Sequence, residues 1–209
     1  MLPAPPLLLI TDRRQGRGDL ADVVAAACAS GCRWVSLREK DLAEAEQLAL
    51  FARIRRAAAP FGARLTLHGT PELACAASAD GVHLPDGADP ARARALLGAG
   101  ALVGLSVHRP AGAEVDRGDV DYITASPVFL TASKPGHGPA LGLGGLSAFV
   151  AAASVPVVAL GGITTTTAAA CRMAGAGAIA VMGDVMRAQD PRRTVAALIA
   201  AVGRGPSSS

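Results

Sequence analysis

Short, almost unbroken apolar runs alternate with longer Ala-rich stretches along the whole chain. LLLIT (7–11) ends in polar Thr11 and Asp12, and DLADVVAAACASG (19–31) behind it reads as a helix stopped at Gly31. RWVSLRE (33–39) is the second strand candidate, and LAEAEQLALFARIRRAAA (42–59) is a long helix stopped by Pro60. ARLTL (63–67) precedes a helix begun at Pro71. DGVHL (80–84) precedes another, with Asp89 as N-cap and Pro90 at the first helical position, where a missing N–H costs nothing. In the second half, ALVGLS (101–106) leads to a weak, polar helix around 111–117, and DYITAS (121–126) to a long Gly/Pro/Ser-rich loop and a helix near 145–153. PVVAL (156–160) runs through Gly161-Gly162 to a helix near 164–174, and AIAVM (178–182) through Gly183 to a closing helix at 191–202.

Eight strands and about eight helices in 209 residues give roughly 26 residues per unit. The strand runs lack apolar–polar alternation, as strands buried on both faces require. Right-handed crossovers would place the helices outside, so the units are expected to close into a single-domain α/β fold, a (β/α)8 TIM barrel over 1–203. Residues 204–209 are expected to be a flexible tail. The alternative, an open doubly wound sheet, wants a Gly-rich first turn, and ITDRRQGRG is no G-x-G-x-x-G.

Composition narrows the function. The chain is 51% hydrophobic and 18% charged, enough for a core and too apolar for disorder. A net charge of +3, from 20 Lys+Arg against 17 Asp+Glu, with only 3% aromatics, argues against a nucleic-acid partner. Four cysteines without a C-x-x-C pair offer no disulfide framework, zinc site or redox motif; Cys28 and Cys32 read as small buried residues. The apolar start has no basic residue ahead of it, and the uncharged stretch 135–171 is broken by Pro139, Pro156 and many glycines. Neither reads as a signal peptide or membrane span, so the expected protein is soluble and cytoplasmic, with a homo-oligomer possible.

A barrel gathers its chemistry at the carboxyl ends of its strands, often with a phosphate site after strands seven and eight. Gly161-Gly162 and Met182-Gly183 stand at those two places, where glycine allows close backbone approach to an anion, although tight βα turns need glycine too. After strand two, alternation points Ser36, Arg38 and Lys40 the same way. They form either a converging anion site or a solvated end paired with Glu39 and Asp41. The loop after strand six carries Thr131, Ser133, Lys134 and His137 and is long enough for a lid. His68 and His108 follow strands three and five, and His83 lies near the end of strand four with its facing ambiguous. A histidine at a strand end is a natural proton shuttle near neutral pH.

Taken in order, LREKD (37–41), ADGVHL (79–84), GLSVH (104–108), DYITASPVFLTASKPG (121–136), PVVALGGI (156–163) and AGAGAIAVM (174–182) resemble the thiamine phosphate synthase/TenI family over nearly the whole chain. The resemblance implies a TIM barrel. It also implies one of two activities: synthases join a pyrimidine diphosphate to a thiazole phosphate with Mg2+, whereas the TenI branch aromatises a thiazole carboxylate phosphate. By the same resemblance, Arg38 and Lys40 bind pyrophosphate. Ser106, Thr131, Ser133 and Lys134 contact the phosphates, and Gly161, Gly162, Met182 and Gly183 form the phosphate-binding backbone.

The departures point toward TenI. Ser36 replaces a glutamine, His68-Gly69 an Asn-Asp pair, and Pro85-Asp86-Gly87-Ala88 a loop with a magnesium aspartate. A hard dication needs oxygen ligands, and only Asp86 or Asp89 stands nearby. Leu-Pro-x-Gly after strand four and Ser-Lys-Pro-Gly in the lid resemble the TenI branch, but its proposed base would fall at Pro127, which cannot move a proton. The expectation is therefore a metal-free, TenI-like thiazole tautomerase without cofactor, with His68 or His137 as the catalytic group and a small phosphorylated thiazole as ligand. The alternatives are a thiamine phosphate synthase, for which Mg2+ would be needed, and a non-catalytic phosphate-binding or regulatory barrel.

Overall fold

The structure is a computed structural model describing residues 1–131 and 139–203. Eight parallel strands close into a barrel in sequence order. They are β1 (Leu7–Ile10), β2 (Trp34–Leu37), β3 (Arg64–His68), β4 (Gly81–Leu84), β5 (Leu102–Val107), β6 (Tyr122–Ala125), β7 (Val157–Leu160) and β8 (Ala178–Val181). Closure is made by β1 against β8, with Leu7 opposite Ile179 and Leu9 opposite Val181, which disposes of the open-sheet alternative. The helices are α1 (Leu20–Ala29), α2 (Glu44–Ala58), α3 (Pro71–Ala76), α4 (Pro90–Leu97), α5 (Gly142–Ala152), α6 (Ala168–Met173), α7 (Gly183–Met186) and α8 (Pro191–Val202). Asp19, Thr70, Asp89 and Asp190 each cap a helix by accepting from first-turn backbone N–H groups.

Strand alternation divides the core in two. Leu7, Leu9, Val35, Leu65, Leu67, Val82 and Val103 pack outward against helices. Leu8, Ile10, Trp34, Leu102, Tyr122, Val158, Ala178 and Ala180 fill the barrel interior. With so few aromatics in the chain, Trp34 and Tyr122 supply most of that inner bulk, edge to face with centroids 4.8 Å apart. Gly104 makes the room, because a Cβ there would land on the Tyr122 ring.

Three local expectations are corrected. The weak helix near 111–117 is only a 3-10 turn, Pro110–Gly112. Beyond it no apolar stripe exists to bury, and Asp116 instead closes a turn by accepting from Gly118 N at 2.7 Å. The helix expected from 164 begins at Ala168, because Thr167 Oγ1 accepts from Thr164 N at 3.0 Å and holds those residues in a turn. The segment after Gly183, read as loop, forms the one-turn helix α7. Cys28, Cys32 and Cys171 are buried, Cys75 is exposed, and all four are free thiols. Among the described residues no helix is long and apolar enough to cross a membrane.

Candidate active site

One cavity opens at the carboxyl ends of the strands. On its β2 side stand Arg38, half-buried, and Lys40, exposed. The carboxylates that flank them in sequence do not neutralise them. Glu39, 2% exposed, turns back to accept from Arg13 N at 3.0 Å and from the Arg13 guanidinium at 3.1 Å. Asp41 takes the other face of the same guanidinium at 2.8 and 2.9 Å. Hydrogen bonding from Arg13 holds the Asp41 carboxyl down at about 2. Arg38 and Lys40 make no ion pair within the described residues. Partial burial, then the neighbouring Arg38 charge, lower the Lys40 ammonium pKa. Thr11 fixes the start of this segment by accepting from Arg38 N at 3.0 Å.

The floor is built by β3 to β6. His83 turns inward, settling the facing that its sequence left ambiguous: its Nδ1 lies 3.1 Å from the Tyr122 hydroxyl and its Nε2 3.0 Å from Ser106 Oγ. A neutral imidazole donates at one nitrogen and accepts at the other, and both hydroxyl partners can do either. Burial pushes the Tyr122 phenol well above its ordinary pKa, so it stays a neutral hydroxyl. His68 stands beside His83 with ring centroids 4.5 Å apart and borders the cavity.

The far wall is formed where the loop after β6 zips onto the end of β7. Val128 N donates to Leu160 O at 2.9 Å and Phe129 N to Gly161 O at 3.0 Å. Gly161 and Gly162 have φ of +100° and +64°. A Cβ at 161 would sit 2.8 Å from Pro127 Cα, and one at 162 only 2.5 Å from Leu130 O. These glycines are therefore required by close approach of the β6 loop, a constraint separate from any ligand.

After β8, Met182, Gly183, Asp184 and Arg187 complete the rim. Burial raises the Asp184 carboxyl above its usual range, opposed by the Arg187 charge and by a hydrogen bond from the Thr165 backbone.

Arg38, Lys40, His68, Ser106, Thr131, Gly161, Gly162, Met182 and Gly183, the expected site residues within the described chain, thus border one cavity. Ser133, Lys134 and His137 lie outside the described residues, as does the expected tail at 204–209. His108, at the same level of sequence interest, is exposed and does not line it. The reading missed Asp184 and Arg187. The available signal was their spacing one helical turn apart behind Gly183.

A closed (β/α)8 barrel with cations and hydroxyls gathered at its carboxyl mouth is the architecture present. Residues 7–185 match the family model described as thiamine monophosphate synthase. The chain is 44% identical over 156 residues to the thiamine-phosphate synthase of Solidesulfovibrio magneticus, covering 73% of this chain and 74% of that one. It is 41% identical over 201 residues to that of Xanthobacter autotrophicus, covering 94% of both. Among solved structures it resembles the thiamine phosphate pyrophosphorylase from Pyrococcus furiosus, with a TM-score of 0.81 and 28% identity over 94% of this chain and 95% of that one. The chain belongs to the thiamine monophosphate synthase family.

The expectation of a TenI-like tautomerase is corrected by these relatives, which carry the synthase name and match 73% and 94% of this chain. Position 127 is a proline, which cannot move a proton, and Glu39 and Asp41 bind Arg13 and not the cations after β2. The proton-transfer roles expected of His68 and His137 belong to that tautomerase reading; His68 borders the cavity, and His137 lies outside the described residues.

Proposed function

We propose that this chain is a thiamine phosphate synthase, a soluble cytoplasmic transferase joining a pyrimidine diphosphate to a thiazole phosphate and releasing pyrophosphate. The observation that carries this reading is the Arg38–Lys40 pair at the cavity rim, stripped of its sequence-adjacent carboxylates by Arg13. Two such cations suit a diphosphate: Arg offers a planar fork and Lys a point charge. As the bond from the pyrimidine methylene to the diphosphate oxygen breaks and the bond to the thiazole forms, charge accumulates on the leaving oxygens. Arg38 and Lys40 stabilise it there, and Ser106 and Thr131, which line the same cavity, offer hydroxyls to the phosphates. The Gly161-Gly162 and Met182-Gly183 backbones hold the thiazole phosphate. Ser133 and Lys134 join the phosphate contacts on the strength of the family resemblance.

The family's use of Mg2+ raises the question of ligands. Gly69 occupies the first aspartate position, Asp86 is exposed on the loop after β4, and Asp89 is spent capping α4 through Ala91 N at 3.0 Å. Neither aspartate borders the cavity, and among the described residues no three His, Cys, Asp or Glu side chains converge. The residues present do not fit the family's magnesium site, and no step above runs through the metal.

The test is coupling of pyrimidine diphosphate and thiazole phosphate, with Mg2+ supplied, scored for thiamine phosphate. Catalytic product formation that fails in Arg38→Ala is expected. Folded protein that binds thiazole phosphate and never forms product would replace this reading with the non-catalytic barrel.

A further inference from the structure

Among the described residues Arg187 is the one arginine or lysine of the cavity rim outside the segment that follows β2, and its position is prepared by the residue four before it. Its guanidinium lies over the bare Cα of Gly183: a Cβ there would fall 2.7 Å from Cζ and closer still to both terminal nitrogens. Gly183 is not in the left-handed region, so its backbone would accept alanine, and the three heavy atoms nearest to an added Cβ all belong to the Arg187 guanidinium. A second set of contacts aims the side chain. Arg187 Nη1 donates to Gln15 Oε1, Gln15 Nε2 donates to Asp12 Oδ2 at 2.6 Å, and Arg17 Nε donates to the Arg187 carbonyl at 3.1 Å. The guanidinium makes no ion pair within 4 Å among the described residues, although Asp184 stands one turn back on the same rim.

β8 and β2 flank β1 in the closed barrel, so the rim carries two separate cationic stations with Ile10 of β1 bordering the cavity between them. Among the described residues one station holds two cations and the other a single arginine beside Gly183. A reaction joining a diphosphate to a monophosphate needs two anion stations of unequal charge. We infer that Arg187 is the side-chain ligand of the phosphomonoester on the thiazole substrate, selecting phosphorylated over unphosphorylated thiazole, and that Gly183 is glycine to seat it. The inference rests on the synthase reading for the identity of the monoester.

The experiment compares steady-state constants for both substrates in wild type, Arg187→Ala, Arg187→Lys, Gly183→Ala and the double variant. A lost charge-assisted hydrogen bond corresponds to roughly a 10–100-fold loss of affinity. Arg187→Ala is expected to raise KM for thiazole phosphate by about that factor, leaving KM for the diphosphate within about twofold, and Arg187→Lys to recover part of it. Gly183→Ala, which displaces the flexible guanidinium rather than any backbone, is expected to act in the same direction. The double variant is expected to be no worse than Arg187→Ala. An unchanged KM for thiazole phosphate in Arg187→Ala, or an equal rise for both substrates, overturns the inference. If wild type forms no thiamine phosphate, calorimetry of thiazole phosphate against the unphosphorylated thiazole decides separately. A preference for the phosphorylated form that Arg187→Ala abolishes sustains Arg187 while the synthase reading falls, and no such preference in wild type overturns it.

Discussion

The carboxylate of Glu39 is bound by Arg13, 26 residues away, and by neither of the cations that flank it in sequence. This one pairing ties the loop after β1 to the end of β2 and leaves Arg38 and Lys40 for a ligand. Glu39→Ala removes the acceptor of a part-buried backbone N–H and of a guanidinium, a loss of about 1.5–3 kcal/mol. The same variant releases the segment carrying Arg38, so pyrophosphate affinity falls as well. Urea unfolding and calorimetry check the two effects. Asp41→Asn behaves differently: the Asp41 carboxyl is depressed, so its contribution is present above the ordinary 3.8 and is lost as pH falls toward about 2. Its stability difference from wild type is therefore expected to vanish over that window.

The glycines of the two rim turns should respond unequally to the same added methyl group. At Gly162 the methyl meets Leu130 O and Phe129 O, both backbone, at a φ of +64°. Overpacking and left-handed strain together cost about 2–4 kcal/mol. At Gly183 the obstruction is the end of one arginine, which swings away, so folding stability changes by less than about 0.5 kcal/mol. Thermal melts of the two alanine variants test this contrast, and equal destabilisation would contradict it.

Much of the barrel could be read from the chain because strands buried on both faces must be nearly continuous apolar runs, and each of the eight runs became a strand. Arg38, Lys40 and Ser106 were readable because alternation and strand ends fix where such residues point. His83 was not, since a single histidine within Gly-Val-His-Leu gives no face. It turns inward because Tyr122 and Ser106 supply partners there. Arg187 was hidden because α7 is one turn long, and a spacing of three from Asp184 behind Gly183 fits a loop equally well. The choice of reaction went astray for another reason. The departures at positions 36, 69 and 88 are local and point away from the synthase name that the relatives carry, whereas Arg38 and Lys40 are left without their neighbouring carboxylates by Arg13, far away in sequence.

Burial divides the four thiols. It pushes Cys28 up to about 12 and both Cys32 and Cys171 to about 11, while Cys75 is exposed on α3. A disulfide reagent at pH 8 should consume one thiol per chain rapidly, Cys75, and the remaining three only on unfolding. Rapid reaction of a second thiol in native protein would show that α1 or α6 does not pack as described.

Lys40 and Lys134 are the only lysines in the chain, which makes the role of Lys40 testable without mutation. Desolvation first, and the Arg38 charge second, lower the pKa of its ammonium. Its charge is therefore lost, as pH rises, earlier than that of an ordinary lysine. Pyrophosphate affinity should fall below the usual lysine range. Arg38→Ala should move that fall to higher pH, and Lys40→Gln should remove it while weakening binding about tenfold at neutral pH. The larger neutral fraction also makes Lys40 react faster with an amine reagent, and peptide mass mapping separates it from Lys134. Saturating pyrophosphate should protect Lys40, because an ammonium held against phosphate oxygens cannot give up its proton to become nucleophilic. Lys40 modified at the same rate with and without pyrophosphate would take it out of the diphosphate station and leave Arg38 alone to meet the leaving group.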